Sequence, residues 1–176
     1  MLIQANESAL LVIDPQERLL PAIHDGQAVL AQTVRMATIA RLLGIPVIGT
    51  EQMPDKLGPN HPDIRPLCEV TLSKHHFDAC AAGLLPLIPA SVRQIVVAGC
   101  EAHICVLQTA LSLLQQGYRV LPLLEACGSR RALDRDAAFE RLRGAGATPV
   151  TLEMVAYEWL RESQHPQFRA VLKLIK

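Results

Sequence analysis

Short, unbroken apolar runs recur along this chain, and longer stretches with helical spacing or loops separate them. Residues 8–13 (SALLVI), 46–50 (PVIGT), 94–99 (QIVVAG) and 119–124 (RVLPLL) are apolar on both sides of any strand they form. A strand with no polar face has to be covered on both faces, which is the condition of a parallel sheet between two helical layers. Weaker strand patterns lie at 70–73 and 147–152. Residues 28–43 have helical periodicity, and Gly44 follows as a left-handed C-terminal residue. Further helical patterns cover 80–89, 103–116 (closed by Gly117), 131–143, 153–162 and 166–175. Residues 51–69 are rich in Pro and polar residues and read as a long loop. The sequence therefore predicts one α/β domain over residues 1–176, with 153–176 as an appended helical tail.

Half of the 176 residues are apolar, enough for a sizeable core, and Lys plus Arg equals Asp plus Glu at 17 each. Zero formal charge gives no support for a nucleic-acid or acidic-membrane partner, since both call for a basic excess. Combined with the high apolar content, it favours a homo-oligomer, a dimer or larger. The first residues lack the basic segment and small-residue cleavage site of a signal peptide, and no apolar run reaches the roughly 20 residues of a membrane span. Five cysteines at irregular spacing, Cys68, Cys80, Cys100, Cys105 and Cys127, fit reduced thiols in the cytoplasm.

Ligands of an open α/β sheet bind beyond the carboxyl ends of the strands. Asp14 follows the first strand. Thr50, Glu51 and Gln52 follow the second, and Lys74, His75 and His76 the third. Cys105 lies in the GCEAHIC segment after the fourth, and Glu125 follows the fifth. A thiol at a strand–helix junction has two readings: a small buried hydrophobe, or a nucleophile activated by a helix N-terminus, a lysine and a carboxylate. Asp14, before Pro15, suits a turn as well as an acid–base role, and Lys74 suits a solvated surface as well as a site. His75 and His76 are adjacent and would point to opposite faces of a strand, so even with His61 they make a poor ligand set. No metal and no cofactor are expected, and no GxGxxG follows any strand to support dinucleotide binding.

Three stretches together resemble the isochorismatase-like cysteine hydrolases: LLVIDPQERLLPAI with Asp14, TLSKHHFDAC with Lys74, and VVAGCEAHICVLQTALSLLQQGYRVLPLLEACGSR with Cys105. The segments TEQMPDKLGPNHPDI and HPQFRAVLKLIK are most similar to the isochorismatase domain-containing branch. The resemblance implies a three-layer α/β/α, Rossmann-like fold around a six-stranded parallel sheet in the order 3-2-1-4-5-6. It also implies a catalytic triad of Asp14, Lys74 and Cys105. By position, a cis peptide would join Cys100 to Glu101, with the N–H groups of Glu101 and Cys105 forming an oxyanion hole. Gln16, Glu51 and Gln52 are the substrate-binding candidates. Nicotinamidase-type members carry Asp-x-His after strand 2, where this chain reads Thr50-Glu51-Gln52-Met53. With three Phe, two Tyr and one Trp, a stacking pocket for a flat ring is also hard to assemble. The implied activity is hydrolysis of a small amide-type C–N bond through a Cys thioester. The competing reading is a binding or scaffold protein that keeps the fold without the chemistry.

Overall fold

The computed structural model describes residues 1–176 and has five parallel strands: β1 (Ser8–Ile13), β2 (Val47–Gln52), β3 (Val70–Lys74), β4 (Gln94–Cys100) and β5 (Arg119–Gly128). Their spatial order is β3-β2-β1-β4-β5. All residues of the central strands β1 and β4 are buried. Their side chains alternate between the two layers, as period-2 geometry requires. Leu10, Val12, Val96, Ala98 and Cys100 join a core beneath α1 (Gly26–Leu42), α5 (Leu152–Leu160) and α6 (Phe168–Ile175). Leu11, Ile13, Ile95 and Val97 join a second core beneath α3 (Leu107–Gln115) and α4 (Ala132–Gly144). A four-residue helix, α2 (Pro54–Leu57), sits in the 51–69 segment. The C-terminal tail is part of the first core: Val155, Trp159 and Val171 are buried there, and Trp159 Nε1 donates to Ser8 Oγ at 3.1 Å.

The sheet has five strands rather than the six expected. Residues 147–152 make a single parallel bridge, Val150 to Leu123. The backbone amides explain why. Thr148 N donates to Val120 O and Val150 N to Pro122 O, while Leu124 N returns to Val150 O. The preceding rung needs an amide at position 122 to donate to Thr148, and proline has none. Beyond Val150 the chain turns into α5, whose first amide, Leu152 N, bonds Glu125 Oε1 at 2.8 Å.

Two helix expectations also change. Residues 80–89 form turns and one short 3₁₀ turn, Leu85–Leu87, because Gly83 has φ +100° and Pro86 and Pro89 supply no amides. The 103–116 helix is split into a π-helical turn, Ala102–Val106, and α3. In that turn Glu101 O accepts from both Ile104 N and Val106 N. No helix is long and apolar enough to cross a membrane.

β1 and β4 touch at the point where strand order reverses. A Cβ on Gly99 (φ +125°) would fall 1.9 Å from Ile13 O, so only glycine fits. β5 leaves β4 after Val97 and rejoins it at Gly99–Cys127 and Cys100–Gly128, which delivers Ser129 and Arg130 to the end of β4.

Replacing Pro122 with Val restores the missing donor. The expected outcome is a slowly exchanging amide at position 122 in hydrogen-exchange measurements, with a second bridge to Thr148. An amide at 122 that exchanges as fast as a loop residue would show that something other than the proline limits the edge.

Candidate active site

The ends of β1, β2 and β3 hold an ion pair with no solvent access. Lys74 Nζ lies 2.7 Å from Asp14 Oδ2, and both side chains are 0% exposed. Lys74 is the last residue of β3 and the one fully buried residue of that edge strand. Parallel register sets it opposite Gln52. Asp14 leaves β1 with φ +51°, a left-handed turn that aspartate tolerates better than most residues. Its Oδ1 accepts from Thr50 Oγ1 at 2.6 Å. Lys74 Nζ also donates to Gln52 Oε1 at 2.7 Å, and Gln52 Nε2 donates to His75 O at 2.8 Å. Each buried polar group of the pair is thus matched, the condition under which a buried ion pair is tolerated.

Cys105 lies in the π-helical turn before α3 and is 6% exposed. Burial pushes its thiol up to about 12; the Asp14 charge acts the same way, and the Lys74 charge opposes it. This differs from the sequence expectation of a thiol lowered by a lysine and a helix end. The reason is that Lys74 is balanced by Asp14 at contact distance, so the thiol meets a nearly neutral pair in a dry site. The Cys100–Glu101 peptide is cis.

Asp14, Gln52, Glu101 and Cys105 line one small cavity of about 100 Å³, whose remaining wall is Leu19, Leu57, Phe77 and Ile104. Of the substrate-binding candidates, Gln52 alone faces it. Glu51 is one residue along β2 and so points to the opposite face, where its Oε1 accepts from Asn60 N at 2.7 Å. Gln16 is fully buried behind Gln52: its Oε1 accepts from Gln52 N at 2.8 Å, and its Nε2 donates to Gln52 O and Gly58 O. Glu125 caps α5 instead of reaching the cavity. His75 and His76 are exposed, while His61 Nδ1 lies 3.6 Å from Asp63. No three His, Cys, Asp or Glu side chains gather in metal-binding geometry.

Several site features were out of reach of the sequence reading. The apolar wall comes from four separate segments, and nothing local marks Leu19 or Leu57. The Glu101 side chain is held by Arg130, whose N and Nε donate to Glu101 Oε2 at 3.1 and 3.0 Å. The signal for that pair was the CGSR segment after β5, which only strand order brings beside β4.

A parallel sheet between two helical layers, with a cavity at its switch point, is the frame of an α/β hydrolase of the kind the sequence resembles. The chain belongs to the isochorismatase family: the model of the isochorismatase domain matches residues 8–154. Mouse isochorismatase domain-containing protein 2A is 35% identical over 170 residues, covering 96% of this chain and 82% of the mouse protein. Among solved structures, the MAR1 ribonuclease of Caenorhabditis elegans superimposes with a TM-score of 0.94 at 34% identity, covering 99% of this chain and 92% of that one. YcaC from Pseudomonas aeruginosa, solved with hexane-2,5-diol and covalent acrylamide, gives 0.91 at 26% identity, covering 98% and 91%. The sequence resemblance to the isochorismatase domain-containing branch therefore holds.

With a thiol at about 12, Cys105 is protonated at neutral pH. Its iodoacetamide labelling rate should climb steadily from pH 7 to 10.5 without a plateau. Lys74→Met removes the one charge that favours the thiolate and should slow labelling at each pH. A plateau below pH 8 would show a thiolate already formed in the resting protein.

Proposed function

We propose that the chain is a cysteine hydrolase acting on a small amide-type C–N bond through a Cys105 thioester. The observation that carries this reading is the meeting of a thiol and a carboxylate at one cavity, with an ammonium buried 2.7 Å from that carboxylate. The raised thiol pKa fits a step in which proton transfer and attack are coupled. As Cys105 Sγ bonds the carbonyl carbon, Asp14 takes the thiol proton, so two anions never face each other in the buried site. The backbone N–H groups of Glu101 and Cys105 receive the developing oxyanion. Glu101 N–H has no backbone acceptor of its own, which supports that role. Collapse breaks the C–N bond, and Asp14 passes its proton to the departing amine. Water then attacks the thioester, giving its proton to Asp14, and the acid leaves with Cys105 restored as thiol. Lys74 balances and orients Asp14 throughout.

A small substrate suits a cavity of about 100 Å³. The covalent acrylamide in the Pseudomonas relative supports a reactive nucleophile on this fold, since acrylamide alkylates thiols. The residue set gives no reason to add a metal or cofactor. Zero net charge favours a small molecule over RNA as substrate.

The test is an intact-mass screen of small primary amides and ureides, with peptide mapping of any acyl adduct. The adduct should fall on Cys105. Cys105→Ala should abolish turnover, and Asp14→Asn should lower kcat by about 10²- to 10⁴-fold. Hydrolysis that persists in Cys105→Ala would overturn the thioester.

We also propose a homo-oligomer, because a neutral, apolar-rich chain leaves Met53 at 38% and Phe77 at 50% exposure. Light scattering at micromolar concentration should give at least twice the 19.2 kDa chain mass. A mass of one chain would rule this out.

A further inference from the structure

The polar groups of the cavity wall are not equally available to a ligand. Asp14 already accepts from Thr50 and Lys74, and its remaining capacity faces the Cys105 thiol. Both ends of the Gln52 amide are occupied, by Lys74 and His75 O. Glu101 is different. It is 6% exposed and lines the cavity, and both Arg130 donors converge on the same oxygen, Oε2. Its Oε1 has no donor within the protein. An acceptor that opens onto a cavity wall and has no protein donor favours a ligand that brings one. The rest of the wall, Leu19, Leu57, Phe77 and Ile104, offers nothing polar in competition.

Resting on the hydrolase reading above, we propose that the Glu101 side chain selects the substrate, accepting a hydrogen bond at Oε1 from an uncharged N–H of a primary amide or ureide. Arg130 balances the carboxylate charge at 3.0 Å, which suits a neutral donor better than a cation. The same residue then serves twice: its backbone N–H faces the substrate oxygen and its carboxylate the substrate nitrogen. An ester or a fully substituted amide leaves Oε1 unmatched when the cavity closes on it.

Glu101→Gln tests this with no change of shape. The Gln carbonyl must take the place of Oε2, because an NH₂ there would face the two Arg130 donors. That leaves the NH₂ on the cavity side, and an acceptor becomes a donor. The probes are acrylamide and N,N-dimethylacrylamide. In each, Cys105 Sγ bonds the terminal CH₂, the C=C electron pair moves to the α-carbon, and that carbon takes up the proton released by the thiol. Rates of Cys105 adduct formation, read by peptide mapping, are divided by the rates with N-acetylcysteine. The wild-type chain should prefer acrylamide by about tenfold or more, and Glu101→Gln should reduce that preference to less than about twofold. Equal normalised rates in the wild type overturn the proposal. So does a preference kept in full by Glu101→Gln, which would mean that the two methyl groups are merely too large. If Cys105 reacts with neither probe, the thioester reading fails. The Glu101 assignment is then decided by saturation-transfer NMR with acetamide and N,N-dimethylacetamide on Cys105→Ala. Stronger acetamide binding that disappears in Glu101→Gln supports it, and equal binding overturns it.

Discussion

The Asp14–Lys74 pair is the interaction around which the rest of the site is arranged. Both side chains are sealed from water at 2.7 Å. Removing either partner of such a pair leaves a buried charge, at a cost of about 3–5 kcal/mol. Keeping it requires that the ends of three strands arrive together with correct register. Thr50 and Gln52 take up the hydrogen-bonding capacity left over. Gln16 in turn fixes the Gln52 backbone from both sides. The loop after β2 is drawn into the same network, since Gln16 Nε2 also bonds Gly58 O. A segment rich in Pro and polar residues is thereby held over the sheet edge.

The pair also sets the character of the thiol. An isolated lysine beside Cys105 would favour a thiolate, but a lysine matched by a carboxylate at contact distance does so much less. Burial then dominates, and the thiol stays protonated. A protonated cysteine in a small, mainly apolar cavity is protected from casual alkylation and oxidation. In the proposed reaction it becomes reactive when a bound carbonyl lets the proton move to Asp14 as the S–C bond forms.

Much of the fold was legible in the sequence because buried strands have no polar face. The runs at 8–13 and 94–99 lie within β1 and β4 almost residue for residue. Gly44 and Gly117 mark helix ends in left-handed conformation, with φ +69° and +85°. The errors came where local pattern and backbone chemistry disagree. The 80–89 stretch has helical apolar spacing, but its glycine and prolines break the amide ladder. The 147–152 stretch looks like a strand, but its neighbour lacks one amide at Pro122. The Glu51 placement failed on period-2 alternation, which sends neighbours on β2 to opposite sides of the sheet.

The sequence by itself determined the layer architecture, the strand ends and the candidate site residues that follow them, since each depends on local pattern or on a motif. The tertiary structure decided what those residues meet. Asp14 and Lys74 are 60 positions apart, and only the β3-β2-β1-β4-β5 order closes that distance. That order likewise brings Arg130 to Glu101 and Leu19, Leu57 and Phe77 to one cavity. The thiol pKa depends on the balance of burial and two opposite charges in three dimensions. Spacing along a chain carries no information about dielectric, and so the chemical state of Cys105 belongs to the fold alone.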